Sequence, residues 1–265
     1  MGDCVRLGNR VRVPPTEQEF VLAHNTAVSA KVAMIEIQID SFEKYHEEVV
    51  FQFSLGALYR GVTNRGYELV PSVGRCLPDF QRNGRDRSKL LDHERFALEI
   101  FEKESAGFLS SKVSDPWELI VLAQHHGLPT RLLDWTHNPL VALFFAVQSN
   151  DDTDAAVYAL EAGVVLDVMD TGELGKHPLE LQETRQFVPT NSSPRVLAQS
   201  SVFTVHADPT DPWTASGMKK LIIPKEKKMQ LRGVLYKYGV SSKKLFPGLD
   251  GLGRTIRYLK FGGNA

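Results

Sequence analysis

The chain has 265 residues, 42% of them apolar, with a net charge of −1 and two cysteines, Cys4 and Cys76. That length suits one large domain or one domain with appendages, and the composition is ordinary for a soluble globular protein. Two cysteines exclude a disulfide framework and a four-cysteine metal site, and no apolar run reaches the roughly 18–20 uninterrupted residues of a membrane span.

The opening MGDCVRLGNR lacks the apolar stretch of a signal peptide, so a cytoplasmic location and no membrane partner are expected. Residues 1–30 show little periodicity, and Val11, Val13, Pro14 and Pro15 read as an extended arm ahead of a domain over 31–265. Met34 to Ile39 alternates apolar and polar residues, the pattern of a strand. Asp40 and Ser41 can cap a helix from Phe42 to Phe51, with Phe42, Tyr45 and Val49 on one face. Ala57 to Arg60 reads as a second strand ending at Gly61. Tyr59 to Arg75 then carries three glycines, three arginines and Pro71, a loop built of turns. Arg60 ends an apolar strand, where its fork can hold a phosphate or carboxylate. Gly61 allows close approach of backbone or ligand.

Leu77 to Arg87 is polar and turn-rich. Leu90 to Ser105 is amphipathic, with Leu91, Phe96, Ile100 and Phe101 expected inward and His93 and Glu94 at the surface. The longest apolar run follows, Leu119 to Val147. Asp115, Pro116 and Glu118 carry the cap, first-position proline and capping-box signals of a helix to about His126. Gly127 and Pro129 stop it. Thr130 to Trp135 reads as a short strand, and Asn138-Pro139 starts a helix apolar on nearly every side. Between these helices lie His125, His126, Arg131, Asp134, Thr136, His137 and Asn138. Buried polar groups cost roughly 1–3 kcal/mol each unless paired, so they are bonded internally or used.

Ser149 to Asp154 is an acidic loop, and Ala156 to Leu160 is a strand candidate. Gly163 to Glu183 mixes turns with short apolar patches. In FVPTNSSPRVLAQSSVFTVH, Phe187 to His206, Val196 and Leu197 are expected as a short strand and Ser201 to Val205 as a longer one, with Gln199 between. Lys219 to Ile223 reads as an edge strand, Glu226 to Tyr238 as a basic helix, and the glycine-rich end as a loop with a short final helix. From Lys219 to Lys260 twelve Lys/Arg face two acids, a net +10 against −11 elsewhere. That is either a solvated face pairing with the acidic body or a patch for phosphates.

The common catalytic signatures are absent: no GxxxxGKS/T, GxSxG, HExxH or paired CxxC occurs. His125 and His126 diverge by about 100° on a helix. A cluster of His125, His126, Asp134 and His137 fits no common zinc spacing, so no metal is expected. The plain alternative for the histidines is hydrogen bonding at a buried corner.

Four stretches together resemble the bacterial FRG domain: Tyr59–Gly61, Gln124–Ala146, Pro194–His206 and Tyr238–Gly253. Tyr59 stands where that family has Phe, and Ser200 or Ser201 stands where a glycine is expected after Gln199. A more distant resemblance, in motif order, is to ADP-ribosyltransferases. It implies an α+β fold of mixed or antiparallel sheets flanked by helices, with NAD as substrate. Carried over, Arg60 with Tyr59 and Gly61 holds a phosphate. Thr136 shapes the nicotinamide pocket, with Ala142 and Phe145 behind it. Gln199 stands near the late catalytic Glu, which it departs from by lacking charge, and Asp134 is the candidate to compensate. His126 or Arg131 would orient the pocket.

The resemblance therefore implies an NAD-binding transferase or NAD-cleaving intracellular effector, of the toxin or anti-phage kind. Its acceptor, protein or nucleic acid, would dock through the basic segment 219–260. Two alternatives stand beside it. One is a binding module that grips nucleic acid or an acidic protein. The other is a nuclease using Asp134 and the histidines.

Overall fold

The structure, a computed structural model, describes residues 34–109, 113–149, 152–190 and 193–262. The arm expected over residues 1–30 lies outside the described residues. The elements run β1 (Ile35–Gln38), α1 (Phe42–Phe51), β2 (Leu58–Val62), α2 (Leu77–Arg82), α3 (Arg87–Ser105), α4 (Pro116–His125), β3 (Leu132–Thr136) and α5 (Pro139–Val147). They continue with β4 (Ala155–Leu160), β5 (Arg185–Phe187), α6 (Pro194–Gln199), β6 (Ser201–Val205), β7 (Lys219–Ile223), α7 (Lys225–Lys237), α8 (Ser242–Leu245) and α9 (Leu249–Phe261).

The local start and stop signals act as their chemistry requires. Ser41, Asp115 and Asn138 accept backbone N–H groups at the starts of α1, α4 and α5. Gly127 and Gly239 take left-handed backbone just past α4 and α7. Glu118 does not close a capping box; it turns away to accept the Thr190 N–H and hydroxyl at 2.7 and 2.8 Å.

Seven strands form one open sheet in the order β1-β7-β4-β2-β3-β6-β5. All neighbours are antiparallel except β1 and β7. Helices flank this sheet, giving an α+β fold. On one face, α1, α5 and α7 bury Tyr45, Leu143, Leu231 and Leu235 against Val157 and Leu221. On the other, Leu133, Trp135 and Tyr158 pack beneath Leu69 and Trp213. A third cluster joins α4 to β6 through Trp117, Ile120, Leu132 and Phe203.

Several expectations are corrected. β7 is not an edge strand, because β1 pairs with it in parallel and β4 covers its other side. Val196 and Leu197 lie in helix α6, which Ser193 caps by accepting the Val196 N–H and which starts at Pro194. Ser200 ends α6 with φ +48°, the one non-glycine residue with positive φ among those described, so this is the position that favours glycine. The final helix has 13 residues and includes Gly251, read from sequence as loop. A Cβ there would lie 2.0 Å from the Phe246 carbonyl oxygen. The polar stretch after Cys76 contains α2. Helix α3 turns Leu90, Glu94 and Leu98 inward, leaving Phe96 and Ile100 exposed. The reason is Arg131, whose buried cation needs the Glu94 carboxylate.

The strands at the middle of the sheet pair unevenly. β2 shares five paired positions with β4, and β3 shares five with β6, but β2 and β3 share one, Tyr59 with Thr136. Past that pair, Arg60–Val62 and Leu132–Trp135 are not paired with each other. Helix α5 lies directly on β2 at this point. A Cβ on Gly61 would sit 1.9 Å from the Ala142 oxygen and 2.7 Å from the Ala146 nitrogen. Gly61→Ala is therefore expected to cost about 3 kcal/mol through forced displacement of α5. A urea midpoint that drops at constant slope would show it. Gly253→Ala, with open space around it, should instead be neutral or stabilising by up to about 1 kcal/mol.

Candidate functional site

The parting of β2 and β3 opens a cleft of about 190 Å³. Its walls bring together most of the residues singled out by sequence. Tyr59, Arg60, Gly61, Asp134, Thr136, Phe145 and Gln199 all line it. Residues far apart in the chain meet here because β2, β3, α5, α6 and β6 each supply part of the wall.

Arg60 spans the gap. Its Nη1 donates to the Asp134 main-chain oxygen at 2.6 Å and reaches Asp134 Oδ2 at 3.5 Å. This bond satisfies a strand carbonyl that β2 would otherwise engage. Burial pushes the guanidinium pKa down, the Asp134 carboxylate opposes that, and Arg75 nearby adds to the lowering. An arginine keeps its charge under such pressure.

Asp134 is held from a second direction. Gln124 on α4 donates from Nε2 to Oδ1 at 2.8 Å. Gln124 in turn accepts a short hydrogen bond from the Thr130 hydroxyl, and Thr130 exchanges bonds with Ser72. The carboxylate is thus oriented yet half exposed, with 54% of its side-chain surface open. Among the residues lining the cleft it is the one acid.

Thr136 and Gln199 serve as frame. The Thr136 hydroxyl donates to the Gln199 carbonyl at 2.7 Å and accepts the Asn138 N–H at 3.0 Å. The Gln199 amide donates to the Leu245 carbonyl at 2.9 Å, leaving its side-chain oxygen as the uncommitted end. Burial pushes the Tyr59 phenol up to about 12, with Glu161 adding to it, so Tyr59 stays neutral and forms a wall.

Two sequence candidates lie elsewhere. His126 is exposed at the C-terminal end of α4 and does not line the cleft. Arg131 points the other way, into a buried pair with Glu94 at 2.6 Å. Its backbone N–H also donates to Glu94. Among the described residues, no group of three His, Cys, Asp or Glu is placed to hold a metal ion.

Sequence reasoning missed Arg195 as a site residue, although Pro194-Arg195 stood in a marked stretch. Its guanidinium lines the cleft and lies over Phe246 at 5.0 Å. Its Nε is buried without a hydrogen-bond partner, at a typical cost of about 1–3 kcal/mol. The signal was the α6 start: Ser193 and Pro194 carry the cap and first-position proline of a helix, which puts Arg195 in its first turn.

The basic segment is partly spent on the fold. Lys225 pairs with Asp152, Lys228 donates to the Thr63 carbonyl, and Arg232 donates to the Val147 carbonyl. Lys243, Lys244, Arg257 and Lys260 are exposed. No described helix is long and apolar enough to cross a membrane.

The family model described as the FRG domain matches residues 56–155. That stretch runs from β2 into β4 and holds Arg60, Asp134, Thr136 and Phe145, but neither Arg195 nor Gln199. Comparison with curated proteins and with solved structures gives no match.

The charges around the cleft act on a neighbour as well. His206 is buried beside Trp213, with Nε2 2.8 Å from the Thr204 hydroxyl. Burial, then Arg60 and Arg131, lowers its pKa from 6.5 to about 3. The unfolded chain therefore binds one more proton than the folded one between those values. The neutral-histidine contribution to stability is complete above pH 6.5 and is lost as pH falls toward 3. Its slope approaches 1.4 kcal/mol per pH unit, or about that. Urea midpoints between pH 4 and 7 should show this slope in the wild type and a shallower one in His206→Gln.

Proposed function

We propose that this FRG-domain chain binds the nicotinamide end of NAD in the cleft between β2 and β3 and breaks the nicotinamide–ribose bond. The observation that carries this reading is a confined guanidinium, Arg60, beside an oriented, half-open carboxylate, Asp134, in one small cleft. The three motifs of the ADP-ribosyltransferase-like order also converge there. They are the aromatic-Arg-Gly of β2, the Thr that ends β3 ahead of α5, and the polar residue before β6. Their convergence supports the resemblance without depending on it.

The chemistry follows from charge. As the bond from ribose C1′ to the pyridinium nitrogen breaks, its electron pair leaves with nicotinamide and neutralises the ring. Positive charge then develops on the ribose. Asp134 is the carboxylate that stabilises that charge in this reading, and such electrostatic stabilisation is usually the largest catalytic contribution. An acceptor oxygen or nitrogen, from water or a macromolecule, then bonds to C1′, and its proton passes to Asp134 or solvent. Arg60 holds a phosphate. Tyr59, Thr136 and Phe145 wall the nicotinamide. Gln199, neutral and tied to Leu245, positions rather than supplies charge.

A second reading draws on the exposed cations of α8 and α9, which favour capture of an acidic macromolecule as the acceptor or as the sole ligand. RNA binding whose affinity falls linearly with the logarithm of salt concentration, with no NAD effect, would favour that module alone.

The experiment is thermal unfolding with and without millimolar NAD, with nicotinamide release followed in the same samples. NAD at about 100 times its Kd adds roughly 2.7 kcal/mol to the folded state. Arg60→Lys, which keeps charge but loses the fork, should lose most of that shift. Asp134→Asn should keep the shift and slow release by about 10²–10³-fold. Release at wild-type rate in folded Asp134→Asn would refute the carboxylate's role.

A further inference from the structure

The cleft alone does not hold a dinucleotide. Its volume of about 190 Å³ lies below the roughly 300–1,000 Å³ of typical small-molecule sites. A second, more open groove of about 510 Å³ shares Arg195 with it. The other lining residues are Phe246, Pro247, Gly248, Leu249, Asp250 and Arg254. All of them lie outside the FRG match at residues 56–155.

Two cations share one ring in this groove. The Arg195 guanidinium carbon lies 5.0 Å and that of Arg254 4.9 Å from the Phe246 ring centre. A contact of this kind fixes a guanidinium without consuming its N–H donors. Neither arginine forms an ion pair among the described residues. Arg195 Nε is buried without any partner, a condition rare enough in native proteins to require a cause. An oxyanion at the junction of cleft and groove would satisfy it. Gly248 opens the 13-residue helix α9 with no side-chain cap, so its first N–H groups add positive potential along the same groove.

The remaining lining is not that of a bare anion site. Asp250 would repel an isolated phosphate, but its carboxylate can accept from a sugar diol. Leu249 is 85% exposed and, with Pro247, offers an apolar surface for a flat base.

We infer that this outer groove binds the adenosine 5′-monophosphate half of a dinucleotide whose other half enters the cleft. Arg195 and Arg254 hold its phosphate, Asp250 the ribose hydroxyls, and Pro247 with Leu249 the base. The assignment rests on the NAD reading for the identity of the other half.

Calorimetric titration with two separate probes tests each half. AMP reports on the groove, and nicotinamide mononucleotide on the cleft. Arg254 is exposed, so Arg254→Ala is expected to fold. It should weaken AMP at least tenfold and leave nicotinamide mononucleotide unchanged, with Arg60→Lys showing the reverse. AMP that binds wild type and Arg254→Ala equally, or not at all, overturns the groove assignment while leaving the cleft reading to its own probe. Inorganic phosphate binding as tightly as AMP overturns the adenosine part. AMP binding lost in Arg254→Ala, with no binding of nicotinamide mononucleotide, supports the groove and overturns the NAD reading.

Discussion

The fold turns on how the gap between β2 and β3 is held open without leaving strand groups unbonded. Arg60 does this by donating to the Asp134 carbonyl across the gap. The alternative, a continuous ladder, would place Gly61 and Val62 opposite the β3 residues and close the cleft. A buried strand carbonyl without a partner is costly, so the arginine is a structural requirement of an open sheet as well as a charge. α5 stabilises the same geometry from below, since the missing side chain at Gly61 lets its backbone rest on β2. The open sheet, the cleft and the charge in it are thus one arrangement.

The arginines near the sheet are distinguished by what satisfies them. Arg131 is neutralised by Glu94, buried and bidentate. Its role is to tie α3 to β3, and removing one partner of such a pair typically costs about 3–5 kcal/mol. Arg232 spends its donors on the Val147 carbonyl at the end of α5. Arg60 divides itself between a carbonyl and a partly open carboxylate, while Arg195 rests on an aromatic ring with one donor unmet. Donors left uncommitted by the fold are therefore gathered at the cleft and its adjoining groove. That distribution distinguishes these arginines better than burial does, because three of the four are largely shielded from solvent.

The polar residues of the central run divide in the same way. Thr130 and Gln124 relay orientation from the loop after β2 to Asp134. His125 is half-buried, its pKa lowered by burial and then by Arg195, and His137 bonds the Ala57 carbonyl. The cost of polar groups among apolar ones is met by internal bonds at most positions. Asp134 is bonded too, yet about half its side-chain surface is open.

Elements whose signals are local were legible from sequence. The caps at Ser41, Asp115 and Asn138 and the glycine stops at 127 and 239 depend on residues within one turn of each other, as does the strand Ser201–Val205. Arg60, Asp134 and Thr136 were marked because a charged or polar residue at the end of an apolar strand is conspicuous in any context. Partners at long range were not legible. Glu94 looks like a surface acid until Arg131, 37 positions later, is folded against it. Lys219–Ile223 looks like an edge until β1 pairs beside it. Arg195 looks incidental until α6 and Phe246 place it between two cavities. Sequence by itself determined where the capped helices begin and which polar residues stand out among apolar ones, because those follow from the nearest neighbours. Only the tertiary structure decided which of those residues share a cleft, because side-chain burial and pairing depend on chain segments that meet after folding.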